Sequence, residues 1–513
     1  SIMVQSPVVQ WFERMLDHVK YLCSEMFSAH WMLGILALDA ILTVAIIVKV
    51  PFTNVDWESY TTQADAVLSG EFDYANIDSP TGPIAYPAGF VYFYGLLRYI
   101  ALSIQQYQLI FGCLHLATVA LVLRLYRRAG APGWLSLLCV ASKRVHSVCV
   151  LRLFNDPVAT FFLYLALDWL TEALGSSSHE NGGGDDSGGD DSGDDGRQAE
   201  GVKKPSRSSS SSSSTATNAK PAHHHHHHHN SGSSSHVLRL LPACVAYSVA
   251  VSVKMHPLLY APAFGLCLVL DAGWTGALSL VSIMVAFQVF LAIPFLRANP
   301  VGYFARSFGG PGDLQHAWSV NFRWLPEGLF HHPLFPKVLA ACHIGLMLAF
   351  AQQRWISTWL PQGFFDPRLW RWGLPRKESR LNLSPTSTIP LLLACNLIGV
   401  VCLRTIHFQF LVWYFHSVPL LVWDAVRPEN YRGVSWVWRC ILIALVTATV
   451  EVPYLMTTQG TVRGPDGRTW TSEGVPTVAG SAILTGVHAA LVGLCWRSRS
   501  RVSKKQNGAV KCD

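Results

Sequence analysis

HWMLGILALDAILTVAIIVKV, residues 30–50, leads into VDWESYTTQADAVLSGEFDYANIDSPTGPIAYPAG, residues 55–89. The first stretch is long and apolar enough to cross a ~30 Å hydrocarbon layer as a helix. The second carries six acids, Asp56, Glu58, Asp65, Glu71, Asp73 and Asp78, in a chain that is only 14% charged. Asp56 and Glu58 stand just past the end of the span. The loop then closes on Gly82-Pro83-Ile84-Ala85-Tyr86-Pro87-Ala88-Gly89, where proline restricts φ and glycine permits turns. A solvated loop is the simple reading. A carboxylate held at a membrane surface with a rigid return to the bilayer is also placed to serve as a general base.

The pattern recurs outward from that stretch. Half of the 513 residues are hydrophobic, and further apolar runs near 105–126, 134–151, 155–174, 237–253, 257–272, 276–297, 334–351, 389–404, 408–426, 436–456 and 476–496 predict an all-α polytopic membrane protein of about twelve spans. Lipid offers no partner to backbone N–H and C=O groups, which leaves helices for runs of this length. Residues 90–104 are apolar but short, and predict an interfacial or re-entrant helix closing the acidic loop. The organisation expected is a lead over 1–30 and a first membrane part over 31–174 whose loop spans 51–104. A low-complexity insertion over 175–235, a second membrane part over 236–497 with a loop at 299–333, and a tail over 498–513 follow. The insertion is rich in Gly, Ser and Asp, ends in His223–His229, and is expected to be disordered or an introduced tag. Nothing before His30 has the layout of a cleaved signal peptide, so the first span is expected to remain as an anchor.

Charge orients the chain. With a cytosolic N-terminus, the basic connections 124–128, 354–380, 427–432 and 497–505 all fall on the cytosolic side, as the positive-inside rule requires. The opposite face then collects the acidic loop and nearly every unusual polar cluster. Nucleic acid does not explain such a pattern. The twelve cysteines lie mostly within apolar runs without a CxxC pair, and read as small buried hydrophobes. No P-loop, strand-borne GxGxxG, metal-spaced His/Cys set or GxSxG is present, so an activated donor, if there is one, comes in the lipid.

Ionisable groups inside apolar sequence are expensive at membrane depth and mark candidate sites. Lys143, Arg144 and His146 precede Arg152, Asn155 and Asp156. Arg152 and Asp156, four apart, suit a helical ion pair, or Arg152 meets an anionic ligand. Lys254 and His256 interrupt two apolar runs, where a lysine either snorkels or contacts phosphate. The same two readings apply to Arg306, Arg323 and Arg404, since a guanidinium donates two bonds to a phosphate at once. The 299–333 loop mixes Tyr303, Phe304, Trp318 and Trp324 with Asn321, Arg323 and Glu327, which suits an interfacial belt or a sugar site. His407, Gln409 and His416 are expected around one membrane mouth.

Together, DWESY, TGPIAYPAGFVY, KRVHSVCVLRLFNDP, SVKMHPLLYAP, NPVGYFARSF with VNFRWLPE, and HFQFLVWYFHSVPLLVW resemble the dolichyl-phosphate-mannose-dependent α-1,3-mannosyltransferases of the asparagine-linked glycosylation pathway. The likeness covers most of the chain outside the N-terminal lead, the insertion and the 354–388 connection. It implies a GT-C glycosyltransferase fold in the endoplasmic reticulum membrane with a luminal active site. It implies dolichyl-phosphate-mannose as donor and the five-mannose lipid-linked oligosaccharide as acceptor. Inversion of a β-linked donor to an α product needs one base and no covalent intermediate, and GT-C enzymes place that base in the first luminal loop, here Asp56 or Glu58. Arg152, Lys254, Arg323 and Arg404 would meet phosphates, and His407 and His416 would shape the pocket. No cofactor and no metal are expected. A related transferase with another acceptor, or a transporter or flippase, is the competing reading; the latter is disfavoured by the lack of an internal repeat.

Overall fold

The computed structural model describes residues 29–179, 231–309, 315–375, 381–431, 433–463 and 469–498. Most of the insertion (180–230), most of the N-terminal lead and nearly all of the tail lie outside the described residues; the expected insertion's two ends, 175–179 and 231–235, are helical rather than disordered. Helix α1 (Ala29–Lys49) follows the opening apolar run, α2 (Trp57–Leu68) and α3 (Ala88–Ile100) build the acidic loop, and α4 (Ile104–Arg128) returns through the bundle. Ser103 and Gln106 cap α4 reciprocally, side chain to backbone in both directions, which fixes where the chain re-enters the apolar layer. At thirteen residues α3 is shorter than a straight crossing needs.

Next come the short α5 (Ser136–Cys139) and α6 (Lys143–His146), a π-turn over Ser147–Leu151, and α7 (Asp156–His179). The long α8 (Ser231–Val253) and α9 (Ala261–Ala298) are joined by a 3-10 turn at His256–Tyr260, and α10 (Pro300–Phe308) follows. Then come α11 (Glu327–Phe330), α12 (Leu334–Phe350), α13 (Pro385–Val401), α14 (Val418–Val426), α15 (Trp436–Leu455) and α16 (Val478–Arg497).

Among the described residues seven helices are long and apolar enough to cross a membrane, or eight if the bent pair Gly133–Cys139 and Lys143–Leu151 is one span. Two shorter apolar helices, Val237–Val253 and Pro385–Val401, accompany them. The difference from about twelve has local causes. Residues 257–297, counted there as one span, are two helical pieces that meet at a kink at Gly273, whose φ of 67° is non-helical, in line with the two runs expected on either side of it. A side chain there would meet the Gly373 carbonyl at 2.4 Å. The amides of Trp274 and Thr275 donate instead to the carbonyls of Arg371 and Trp372. Residues 408–417 are mostly 3-10 turns, leaving only Val418–Val426 as helix. The connection after α15 is a β-hairpin, Thr457–Arg463 against Thr469–Pro476.

The second half of α9 exposes Val285, Val289, Phe290 and Ile293, and α12 exposes Val338, Ile344 and Leu348. Such apolar faces are consistent with lipid contact. The interior is sealed by aromatics, with Tyr60, Tyr74, Phe90, Tyr94 and Phe295 fully buried.

Candidate active site

Asp56 precedes the first turn of α2. Its carbonyl accepts the Tyr60 amide at 2.9 Å, but its side chain does not cap the helix. The carboxylate turns inward, where Oδ2 lies 3.3 Å from the Tyr60 hydroxyl. That hydroxyl also sits 3.5 Å from Oδ1 of Asn155. Helical spacing puts Tyr60 one turn below Asp56.

Asn155 and Asp156 begin α7, immediately after a turn in which Leu153 adopts φ 52°. This left-handed residue is uncommon for a branched side chain. Its carbonyl accepts the Tyr94 hydroxyl at 3.0 Å, and its side chain is fully buried, so packing and hydrogen bonding hold the turn. Both acceptors it presents are fully buried. Lys254 reaches them from the end of α8: Nζ donates to Asn155 Oδ1 at 2.9 Å and to Asp156 Oδ2 at 2.8 Å. The Trp413 indole donates to the other oxygen of Asp156. Asp156 therefore pairs with Lys254, not with Arg152 as the sequence spacing suggests. Arg152 turns to the Ser147 hydroxyl, because the helix is interrupted between the two residues.

Rings enclose the ammonium. Lys254 Nζ lies 5.3 Å from the Tyr86 ring, 5.8 Å from Phe410 and 5.9 Å from Trp413, within cation–π reach. His256 stacks on Trp413 at 4.7 Å and faces the Thr160 hydroxyl at 3.3 Å; Phe410 also stacks on Trp413, at 3.7 Å. His407 packs edge-on to Phe410 at 5.4 Å.

The electrostatics follow from burial. Loss of water pushes the Asp56 carboxyl above its ordinary range, opposed by the Lys254 ammonium and the Tyr60 hydroxyl. Burial also works against the Lys254 charge, but Asp156, Tyr86 and Asp56 outweigh it and hold the ammonium above its usual range. Burial and Lys254 push the His407 imidazole down to about 4. A half-buried carboxylate with raised proton affinity thus faces an ammonium that has spent two of its three N–H donors. Such a pair can take a proton on one side and neutralise an anion on the other.

Glu58 is exposed and accepts from the Asn54 amide at 3.2 Å, outside this cluster. Asn321 is a staple: its Oδ1 accepts the Ile406 amide at 2.9 Å and its Nδ2 donates to Leu403 at 2.8 Å. Arg323 lies 3.0 Å from His316 Nδ1. Arg404 donates to the Phe330 carbonyl at 3.3 Å and stands over the Phe330 ring at 5.0 Å. Asn321 and Arg404 join the 316–330 and 403–406 segments, while Arg323 stays within the first. Arg306 is half-buried on α10, and Gln409 is half-buried beside Phe410.

His416 does not join His407 at one mouth. The 3-10 turns carry it inward to pack on Tyr164 at 6.0 Å, within electrostatic reach of a second buried cluster. There Asp39 of α1 faces His146 at 2.8 Å and His115 at 3.1 Å, one carboxylate oxygen each. His146 Nδ1 meets the Ser142 carbonyl at 2.7 Å. Asp39, His115 and His146 bring one ligand-type atom each within 4.8 Å of one another; the His146 contact is a hydrogen bond, whereas Asp39 Oδ2 and His115 Nε2, 3.1 Å apart, make none. Sequence reading passed over Tyr60, Tyr86, Phe410 and Trp413 as site residues. The only available signal was the four-residue step from Asp56 to Tyr60.

A family model described as ALG3 protein matches residues 33–452. The chain is 33% identical over 443 residues to the Dol-P-Man:Man(5)GlcNAc(2)-PP-Dol alpha-1,3-mannosyltransferase of Homo sapiens, covering 85% of this chain and 84% of that protein. It is 32% identical over 410 residues to the mouse protein of the same name, covering 79% and 77%, and 32% identical over 415 residues to that of Arabidopsis thaliana, covering 78% and 80%. No solved structure matches. With the family match spanning the first helix, the Asp56 cluster and the 407–423 segment, the chain belongs to the ALG3 protein family.

Proposed function

We propose that this chain transfers mannose from dolichyl-phosphate-mannose to the lipid-linked five-mannose oligosaccharide in α-1,3 linkage, with Asp56 as the base. The observation that carries the reading is the inward-turned Asp56 carboxylate, held by Tyr60 beside the buried Lys254–Asp156 pair. The names of the similar human, mouse and plant proteins supply the donor and acceptor. The site gives each part of the reaction a group. Asp56 takes the proton of the acceptor 3-hydroxyl as that oxygen bonds to C1 of the mannose. The bond from C1 to the phosphate oxygen breaks on the opposite face, which inverts the anomeric centre, and dolichyl phosphate leaves with the bond electrons. Lys254, through its third N–H, stabilises the charge that develops there. The chemistry needs no resident metal or cofactor in this reading. The 1–30 lead, the basic connections and the tail then face the cytosol, and the Asp56 face opens to the lumen of the endoplasmic reticulum.

The test is mannose transfer by purified protein with both lipid substrates. Asp56→Asn lowers the rate by about 10²–10⁴-fold, the usual worth of a general base, whereas the exposed Glu58→Gln changes it by less than about threefold. Equal loss in both variants removes the assignment of the base. Inert wild-type protein that is folded, with other lipid-phosphate sugars also untouched, removes the transferase reading and restores the transporter one.

A further inference from the structure

Asp39 stands at the midpoint of α1, His115 lies in the middle of α4, and His146 ends α6. All three are 2% exposed or less. A carboxylate at the middle of a span is costly in lipid and calls for a positive partner. The two imidazole rings pack 4.8 Å apart, and each of the three side chains brings one donor atom to the same small volume.

His146 Nδ1 lies 2.7 Å from the Ser142 carbonyl, which only accepts, so the ring proton sits on Nδ1. A neutral His146 then turns a bare lone pair on Nε2 toward Asp39 Oδ1 at 2.8 Å, and that contact needs either an extra proton or a cation to join it. A proton there serves one side of the carboxylate only. On the other side Asp39 Oδ2 and His115 Nε2 are both buried and make no hydrogen bond. Buried polar atoms left without a partner are rare and costly. One cation among the three donors satisfies both sides together.

The donor set suits zinc. Two imidazole nitrogens with one carboxylate oxygen favour a borderline divalent ion over magnesium or calcium, which take oxygens. Bonds of about 2.0–2.1 Å put tetrahedral donors roughly 3.3 Å apart, close to the 2.8 and 3.1 Å of two of the pairs here. A ring N–H donated to a backbone carbonyl is the outer contact that fixes a ligating imidazole. The Ser142 that supplies this carbonyl is itself held by Glu451 of α15, whose Oε1 accepts the Ser142 hydroxyl at 2.8 Å.

We propose that Asp39, His115 and His146 bind one divalent ion of the zinc class, which pins α1 and α4 to the bent segment leading into Asn155 and Asp156. The ion is structural. None of its ligands belongs to the Asp56 cluster, and the inference does not depend on the transferase reading.

Full-length protein in neutral detergent is stripped with a chelator, offered zinc, cobalt(II) or magnesium, and freed of unbound ion by gel filtration. The run His223–His229 takes such ions too, so every measurement is repeated on the full chain with all seven changed to Gln. Metal per chain is read by plasma mass spectrometry, cobalt by its visible absorption, and stability by the unfolding midpoint. In that background zinc is retained at one per chain and raises the midpoint, and magnesium does neither. Asp39→Asn and, separately, His115→Gln weaken zinc retention at least ~tenfold and remove the cobalt bands. Zinc kept only by the chain with the histidine run intact overturns the site, a result that requires neither variant to fold. Equal retention in both folded variants overturns it as well, and leaves Asp39 and His146 as a pair joined by a proton.

Discussion

Replacing Lys254 by methionine separates two roles that the site gives one ammonium. The side chain is 9% exposed and donates to two fully buried acceptors, Asn155 and Asp156. Removing one member of a buried, hydrogen-bonded ion pair costs about 3–5 kcal/mol. Asp156 keeps its bond from the Trp413 indole, which places the cost near the lower figure. Lys254→Met therefore lowers the unfolding midpoint and slows transfer. Adding Asp156→Asn removes the orphaned charge while an amide oxygen still accepts from Trp413, so most of the stability returns. Transfer does not return with it. A charge-assisted bond to the leaving phosphate is worth about 1.5–3 kcal/mol, or roughly 10–150-fold in rate at tenfold per 1.36 kcal/mol. The assay pairs thermal unfolding in detergent with initial rates from both lipid substrates, for wild type, the single variant and the double variant. Recovery of rate together with stability in the double variant refutes the reasoning, and leaves Lys254 as a structural pin.

Tyr60→Phe removes a hydroxyl that lowers the Asp56 proton affinity, so the base stays protonated to higher pH and the acid limb of the rate profile moves upward. The bond is charge-assisted but long at 3.3 Å, so the upward shift is modest. An unmoved or lowered limb counts against Asp56 as the titrating group. Gly89→Ala puts a methyl 2.1 Å from the Ser252 hydroxyl oxygen and 2.8 Å from its backbone carbon, which separates α3 from α8 at a cost of about 1–3 kcal/mol. A second change, Ser252→Gly, recovers little of the unfolding midpoint because the backbone still obstructs; full recovery would show that only the side chain stands in the way.

The helical membrane class was legible from the apolar runs, since a span must satisfy its own backbone and leaves a long unmistakable signature. Asp56, Asn155, Asp156 and Lys254, which the fold brings together, also stood out in the sequence, because charge beside apolar sequence is costly enough to be noticed. Pairing was not legible. Arg152 and Asp156 are neighbours only if a helix runs unbroken between them, and the left-handed Leu153 breaks it; the true partner of Asp156 lies 98 residues away. His416 was misplaced for a related reason. From His407 the 3-10 turns advance the chain further per residue than an α-helix does, carrying that ring to the Asp39 cluster. The break at Gly273 was legible, because glycine beside polar residues marks a turn; that the carbonyls of Arg371 and Trp372, distant in sequence, take the amides that follow it was not.

The Asp156–Lys254–Trp413 cluster also sets an order of events during synthesis. Asp156 emerges from the ribosome with the first half of the chain, its ammonium follows only after the low-complexity insertion, and its indole comes far later still. Until then a carboxylate at the head of an inserting helix has no ionic partner. Closure around that acid is therefore a late step, which waits for both Lys254 and Trp413.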